Sequence, residues 1–505
     1  MNGYPRPEHG PLKHRLFAIE YHNPARKAEH RGRFFKRPDG RDLARMADAK
    51  ARFDALSPDF VPGQSIPPGD ETDRLHRWGY SHYRDLFNPR QLLALELSCR
   101  EIAAIGNARV RHALATNLSD LLRYQNMLCR YDTMALKSLD IFSVHGFPVG
   151  LVQCESNVLG IRNGHGGGRR PAGQAVGSGG WINIVDKYTK AKRWCDTPFE
   201  IRNLGSRKVQ VPMLGEWIGE HRDGAKRRAV SLHCASATAV ELPDGSLDAV
   251  FTDPPYFGNV QYAELMDFCY VWLRRLVGQE AEGFDRESTH SPSELTGNVT
   301  QRRDLADFAD GLAVVYRRMA KALKPGCPLA FTYHHNRIEA YYAVGAAILD
   351  AGLVCSASLP CPAEMSGSIH IHGTSSSIID TVFVCRKTGA TRRRWLFATA
   401  PELSRLIAAD IEQLTNAGRK PTLGDTRCIA FGHLTRMAIW HLRHDWDRAL
   451  AMPEKLARMA EAIARWGTYD EIVASLKSQA IAEPRPLTYP LAGVAESVEN
   501  DDVPF

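Results

Sequence analysis

The sequence predicts an α/β protein whose sheet lies in its second half, behind a mostly helical first half. Three observations carry that expectation. From Arg228 onward, short apolar strands alternate with segments whose apolar residues recur at helical spacing. The run Asp248-Ala249-Val250-Phe251-Thr252 stops at Asp253-Pro254-Pro255-Tyr256. Proline has no backbone donor, so strand periodicity ends there and Asp253 is left at the carboxyl end of a strand. Upstream, leucine-rich stretches read as long helices rather than strands.

Taken in order, residues 1–73 form a basic N-terminal arm, with a strand over Arg15 to Tyr21 and a helix over Asp42 to Leu56. Between them, Arg31-Gly32-Arg33-Phe34-Phe35-Lys36 interleaves cations with aromatics, a pattern compatible with nucleic acid. Residues 74–227 read as a mostly helical insertion or DNA-recognition region. Asn88-Pro89 is a helix start, with Asn as cap and Pro at the first helical position. Helices are expected over Arg90 to Ile105 and Val110 to Cys129. A glycine-rich surface loop follows at 160–180, then a basic helix from Gly180 to Phe199. The loop's spacing matches no phosphate-cradling motif.

Residues 228–390 carry the α/β pattern. Strands are predicted at Arg228 to Cys234, Asp248 to Thr252, Leu329 to Tyr333, Leu353 to Leu359 and Ile379 to Cys385. Helices are predicted at Val260 to Val277, Arg302 to Leu323 and Arg337 to Ala351. His334, His335, His370 and His372 read as hydrogen-bonding histidines rather than metal ligands, because no cysteine pair or matching carboxylate spacing accompanies them. Residues 391–505 read as a helical extension with a disordered acidic tail.

Composition narrows the class. The chain has 505 residues, enough for two or three domains. No run of 18 or more apolar residues occurs, so a membrane span is not expected. Eleven cysteines lie scattered without a CxxC pair, which argues against a disulfide framework and a zinc ribbon, and fits the cytoplasm. The net charge is +7, and it is concentrated. Residues 1–50 hold 12 Lys/Arg against 6 Asp/Glu, and residues 186–228 hold 11 against 6. Basic blocks of this kind suit a phosphate backbone.

The Asp253-Pro254-Pro255-Tyr256 corner resembles the D/N-P-P-Y/F motif of amino-group methyltransferases, which use S-adenosyl-L-methionine to methylate an exocyclic nitrogen of a base. The residue types suit that chemistry. An aryl amine is a poor nucleophile because its lone pair is delocalised into the ring. A carboxylate accepting one N–H and the Pro254 carbonyl accepting the other favour the pyramidal, attacking nitrogen. Tyr256 offers a flat face on which a base can stack, typically worth ~1–3 kcal/mol. In duplex DNA the target would first have to leave the stack.

Longer segments resemble the DUF1156 group of adenine-specific DNA methylases, a zinc-ribbon-containing group. They are Trp78-Gly79-Tyr80 through Leu95, Asp253 through Arg275, and Phe331-Thr332-Tyr333-His334-His335. The resemblance implies the second half of a Rossmann-like methyltransferase sheet, with Asp253, Pro254, Pro255 and Tyr256 holding the target base. Phe257, Asn259 and Tyr262, just after them, are the candidate substrate-binding residues. The family's glycine-rich cofactor loop and its acidic ribose ligand have no counterpart here, and Tyr21-His22-Asn23-Pro24 stands where zinc-ribbon cysteines are expected. Cofactor-binding residues are therefore unassigned. The strand before Asp253 is expected to have one edge unpaired, filled by a companion polypeptide that brings the missing strands and the cofactor loop. The expected activity is DNA amino-methylation, adenine N6 ahead of cytosine N4. The alternatives are RNA guanine-N2 methylation and a non-catalytic DNA-binding subunit of a modification complex.

Overall fold

The computed structural model describes residues 7–26, 30–162, 175–204, 207–214, 216–218, 226–363, 377–387, 390–392, 400–479 and 502–504. The chain divides into two units, one of residues 1–234 with 262–290, the other of residues 235–261 with 291–505. Among the described residues, no helix is long and apolar enough to cross a membrane.

The first unit is built on helices: α1 (Gly40–Asp54), α2 (Thr72–Arg77), α3 (Pro89–Ala103), α4 (Ala108–Leu122), α5 (Trp181–Asp196) and α6 (Tyr262–Val277). The start of α3 follows from its sequence. The Asn88 side chain accepts the Gln91 N–H, the Gln91 side chain accepts the Asn88 N–H, and Pro89 opens the helix. Leucines of α3 and α4 pack with Phe268 and Trp272 of α6, where Phe87 stacks on Phe268 at 5.6 Å.

Two buried glutamates hold irregular chain to these helices. Glu96 of α3 accepts the N–H groups of Asp59, Phe60 and Val61 at 2.9, 2.8 and 3.1 Å. Glu264 of α6 accepts those of Asp70, Glu71 and Thr72 at 3.1, 2.7 and 3.0 Å. Three amide donors replace the water each carboxylate gives up.

Two expectations fail in this unit. The helix starting near Val110 stops at Leu122 rather than Cys129. The Asn126 side chain takes the Leu122 carbonyl at 2.9 Å and its own oxygen accepts the Leu128 N–H, replacing the next helical turn. Residues Arg228 to Cys234 do not form a strand. Lys226–Arg228 pairs with Glu216–Ile218, and the chain from 229 to 234 is irregular, with Val230 and Leu232 exposed. The 160–180 loop falls partly outside the described residues; its flanks Ile161–Arg162 and Ala175–Val176 pair as two short strands.

The second unit is mixed α/β. Its sheet has β1 (Val250–Thr252), β2 (Leu329–Tyr333), β3 (Val354–Pro362) and β4 (Ile379–Arg386), in the order β1-β2-β4-β3. β1 and β2 are parallel, with Phe251 opposite Ala330. β4 runs antiparallel to both of its neighbours, with Phe331 opposite Phe383. Its helices are α7 (Leu305–Ala322), α8 (Ile338–Asp350), α9 (Ala400–Asn416), α10 (Leu423–Leu442), α11 (Met452–Ala464) and α12 (Tyr469–Gln479).

One face of this sheet is the core. Phe331, Tyr333, Thr381, Phe383 and Cys385 are buried there against Tyr316 of α7, Tyr341 of α8 and α10. Strand alternation places Phe251, Thr332, Asp380, Val382 and Val384 on the other face, where each is half-exposed or exposed and Phe251 reaches 79%. Within the core, His433 of α10 meets Asp410 at 2.8 Å and Ser358 at 3.3 Å. This row has the residue types of a nucleophile triad, but all three members are buried, so it ties α9, α10 and β3 together as packing. Residues 480–501 of the expected disordered tail lie outside the described residues, and Asp502–Pro504 pairs with Ala390–Arg392.

Candidate functional site

β1 delivers Asp253 to the carboxyl end of the parallel pair. The strand is set by backbone bonds from Leu247 N–H to the Ala322 carbonyl at 2.9 Å and from Val250 N–H to the Pro328 carbonyl at 2.9 Å. Pairing of Thr252 with Phe331 carries Asp253 out beside Thr332. Since β4 is antiparallel, its amino end reaches the same edge and brings Asp380 with it. Three strands thus converge where an open α/β sheet places its ligands.

Four side chains meet there. The Thr332 hydroxyl donates to Asp253 Oδ1. The Tyr256 hydroxyl lies 3.0 Å from the same Oδ1, 3.0 Å from Asp380 Oδ2 and 3.4 Å from Thr332 Oγ1. Asp253 is exposed. Both contacts fall on Oδ1, so Oδ2 is the oxygen the carboxylate can turn toward an N–H donor. Burial pushes the Tyr256 phenol well up, and the negative Asp380 and Asp253 add to it, against the Thr332 hydrogen bond. Tyr256 is therefore a neutral hydroxyl with one proton to give.

The corner that holds these groups is rigid. Pro254 is buried, and Asn259 N–H closes a turn onto the Tyr256 carbonyl at 3.1 Å. Gly258 supplies the left-handed step, with φ of +65°. The Phe257 ring packs 5.5 Å from Phe308 and so close to Gly297 that a β-carbon there would lie 2.5 Å from it. Buried amides hold that glycine in place: Gln261 donates to the Gly297 carbonyl at 2.7 Å and accepts from Asn298 at 2.9 Å.

The expected site residues are thus distributed. Asp253 and Tyr256 share one cluster, and Pro254 and Pro255 form its corner. Phe257 is half-buried packing beside it, Asn259 is exposed on the turn, and the Tyr256 ring stands edge-on to Tyr333 at 5.3 Å. Tyr262 opens α6 and belongs to the other unit. Thr332 and Asp380 had no assigned role. The signal available for Asp380 was a lone carboxylate inside the apolar run Ser377-Ile378-Ile379-Asp380-Thr381-Val382.

The histidines divide. His334 Nδ1 lies 3.2 Å from the Ile379 carbonyl. His335 is buried, which lowers its pKa, and its Nδ1 accepts the Arg337 N–H at 3.0 Å with the Arg337 carbonyl 3.3 Å away. His370 and His372 lie outside the described residues, among which no group of metal-binding side chains occurs.

The first unit carries two concavities with basic residues in their lining. One, of about 620 Å³, lies between α4 and α5, where Arg109, His112, Tyr188 and Lys192 surround the apolar Val110, Ala113, Leu114 and Val185. The other, of about 350 Å³, is lined by Arg26, His30, Arg33, Phe34, Phe35 and Tyr131, so the interleaved segment of the arm does present its aromatics. Phe34 and Phe35 are 41% and 61% exposed.

A holder for S-adenosyl-L-methionine does not emerge from the described residues. β1 occupies the outer edge of its sheet, and none of its described neighbours contributes a glycine loop beside it. The chain matches no family model, no curated protein and no solved structure.

Proposed function

We propose that this chain is the base-binding part of an S-adenosyl-L-methionine-dependent DNA amino-methyltransferase, acting on adenine N6 in preference to cytosine N4. The observation that carries the reading is the Asp253 carboxylate. It stands at the carboxyl end of a parallel strand, anchored through one oxygen by Thr332 and beside Tyr256, with the other oxygen to offer. In this reading Asp253 Oδ2 accepts one N–H of a flipped base, and the Pro254 carbonyl accepts the second. Both hold the nitrogen lone pair out of the ring plane, ready to attack.

The bare outer edge of β1 and the half-exposed face carrying Phe251, Val382 and Val384 support a companion polypeptide. An edge with no partner among the described residues, beside a half-exposed face, accepts a further strand with its helix. In this reading the donor-binding loop comes with that companion, and no step of the reaction is assigned to this chain beyond holding the amine. The concavities of the first unit, one with Arg109 and Lys192 and the other with the exposed Phe34 and Phe35, favour a nucleic-acid substrate.

The test is to co-express the chain with proteins encoded beside it and measure transfer of labelled methyl groups to duplex DNA and to RNA. Transfer to DNA supports the reading, and transfer to RNA alone replaces it with guanine-N2 methylation. DNA binding with no transfer by any copurified complex makes the chain a non-catalytic subunit.

A further inference from the structure

The Tyr256 hydroxyl faces two carboxylates with one proton. Asp253 Oδ1 and Asp380 Oδ2 each lie 3.0 Å away, and one O–H cannot serve both at full strength. Asp253 Oδ1 already receives the Thr332 hydroxyl. Every donor that a carboxylate accepts drains charge from it and weakens it toward the next. An acceptor meant for a substrate N–H is best left with few donors of its own.

We propose that Asp380 is a positioning residue that draws the Tyr256 proton to itself and so keeps Asp253 strong as the acceptor of the incoming amine. Asp380 enters this edge because β4 runs against β2, and the Cys361 of β3 lies opposite it in the pairing. The Tyr256 ring, braced on Tyr333, fixes the phenol oxygen between the two carboxylates. The consequence for catalysis rests on the amino-methyltransferase reading; the direction of the phenol O–H does not.

Two measurements on the full chain keep those apart. In the first, the protein carries 3-fluorotyrosine, and the Tyr256 fluorine line is assigned by its loss in Tyr256→Phe. Asp380→Asn is expected to move that line strongly and Asp253→Asn to move it little. The reverse pattern overturns the proposal, whatever the protein's activity. In the second, the complex with its companion methylates DNA. Asp380→Asn is expected to lower kcat about tenfold, the worth of one hydrogen bond to a charged group, with KM nearly unchanged. In the Tyr256→Phe background the same substitution should have no further effect. Additive losses would mean that Asp380 acts by another route and overturn the proposal. If the wild-type complex transfers no methyl group, the functional reading fails while the fluorine result still decides the hydrogen bond. Thermal melts of each variant confirm that the comparison is between folded proteins.

Discussion

Thr332 stands one step beyond the last pair of β1 with β2, so its hydroxyl meets the Asp253 carboxylate that the same step carries out of β1. The contact joins two parallel strands at their carboxyl ends and fixes which oxygen of Asp253 faces inward. Thr332→Val keeps the shape of the side chain and removes the donor. Losing a hydrogen bond to a charged group is worth about 1.5–3 kcal/mol. If that bond orients Asp253 for catalysis, methyl transfer should fall roughly 10- to 100-fold by the usual rate relation. Steady-state kinetics of the complex check this, alongside an unfolding curve that should shift little.

Asp253→Ala removes the acceptor itself. On the amino-methyltransferase reading, methylation should be lost while the affinity for DNA stays close to wild type, since phosphate contacts generally supply most of such affinity. A filter-binding or anisotropy titration beside the transfer assay measures both. Retained activity would remove Asp253 from the reaction.

Phe251 is 79% exposed on the outer strand. Replacing it with lysine should change the stability of the isolated chain by no more than about 0.5 kcal/mol, as for an ordinary surface position. The same substitution should abolish copurification of a companion that pairs with β1, because charged residues blunt open edges. Pull-down yield against wild type is the readout.

His335 gives the second unit a pH dependence. Burial lowers its pKa, and its Nδ1 accepts the Arg337 N–H only while unprotonated. A depressed folded-state pKa means that the unfolded chain binds the proton more readily. The stabilising contribution is complete above the ordinary histidine value of about 6.5 and is lost as pH falls through the lower folded value. Urea midpoints should decline as pH falls below about 6.5 in wild type, and less steeply in His335→Asn.

Lys455 and Asp350 form a buried pair at 2.8 Å, with the Trp446 indole on the other carboxylate oxygen at 2.8 Å. Asp350→Ala leaves the ammonium buried without its partner and should cost about 3–5 kcal/mol. The double variant Asp350→Leu with Lys455→Met should recover most of that loss. Denaturant unfolding of the second unit distinguishes the two.

β2 was legible because local pattern and final burial agree there, and the Asp253 corner because proline ends a strand whatever surrounds it. Leu329–Tyr333 is an apolar run that ends up buried, and the two prolines stop β1 as their chemistry requires. The segment from Arg228 to Cys234 shows the limit of alternation. Val230 and Leu232 have strand spacing, yet spacing expresses a capacity to pair and supplies no partner. Asp380 was hidden for a different reason. Its place beside Asp253 depends on β4 running backwards between β2 and β3, which brings it to a corner more than a hundred residues upstream that no local window contains.

The excursion of residues 262–290 into the first unit governs how the protein can be taken apart. No single protease cut or stop codon releases the second unit whole. Beginning after residue 290 discards β1 and the entire proline corner, while ending at residue 261 strands them without β2 and α7. A clean genetic dissection has to excise the intervening cassette and splice Gln261 to Ser291, so that the edge strand keeps the neighbour against which it is registered.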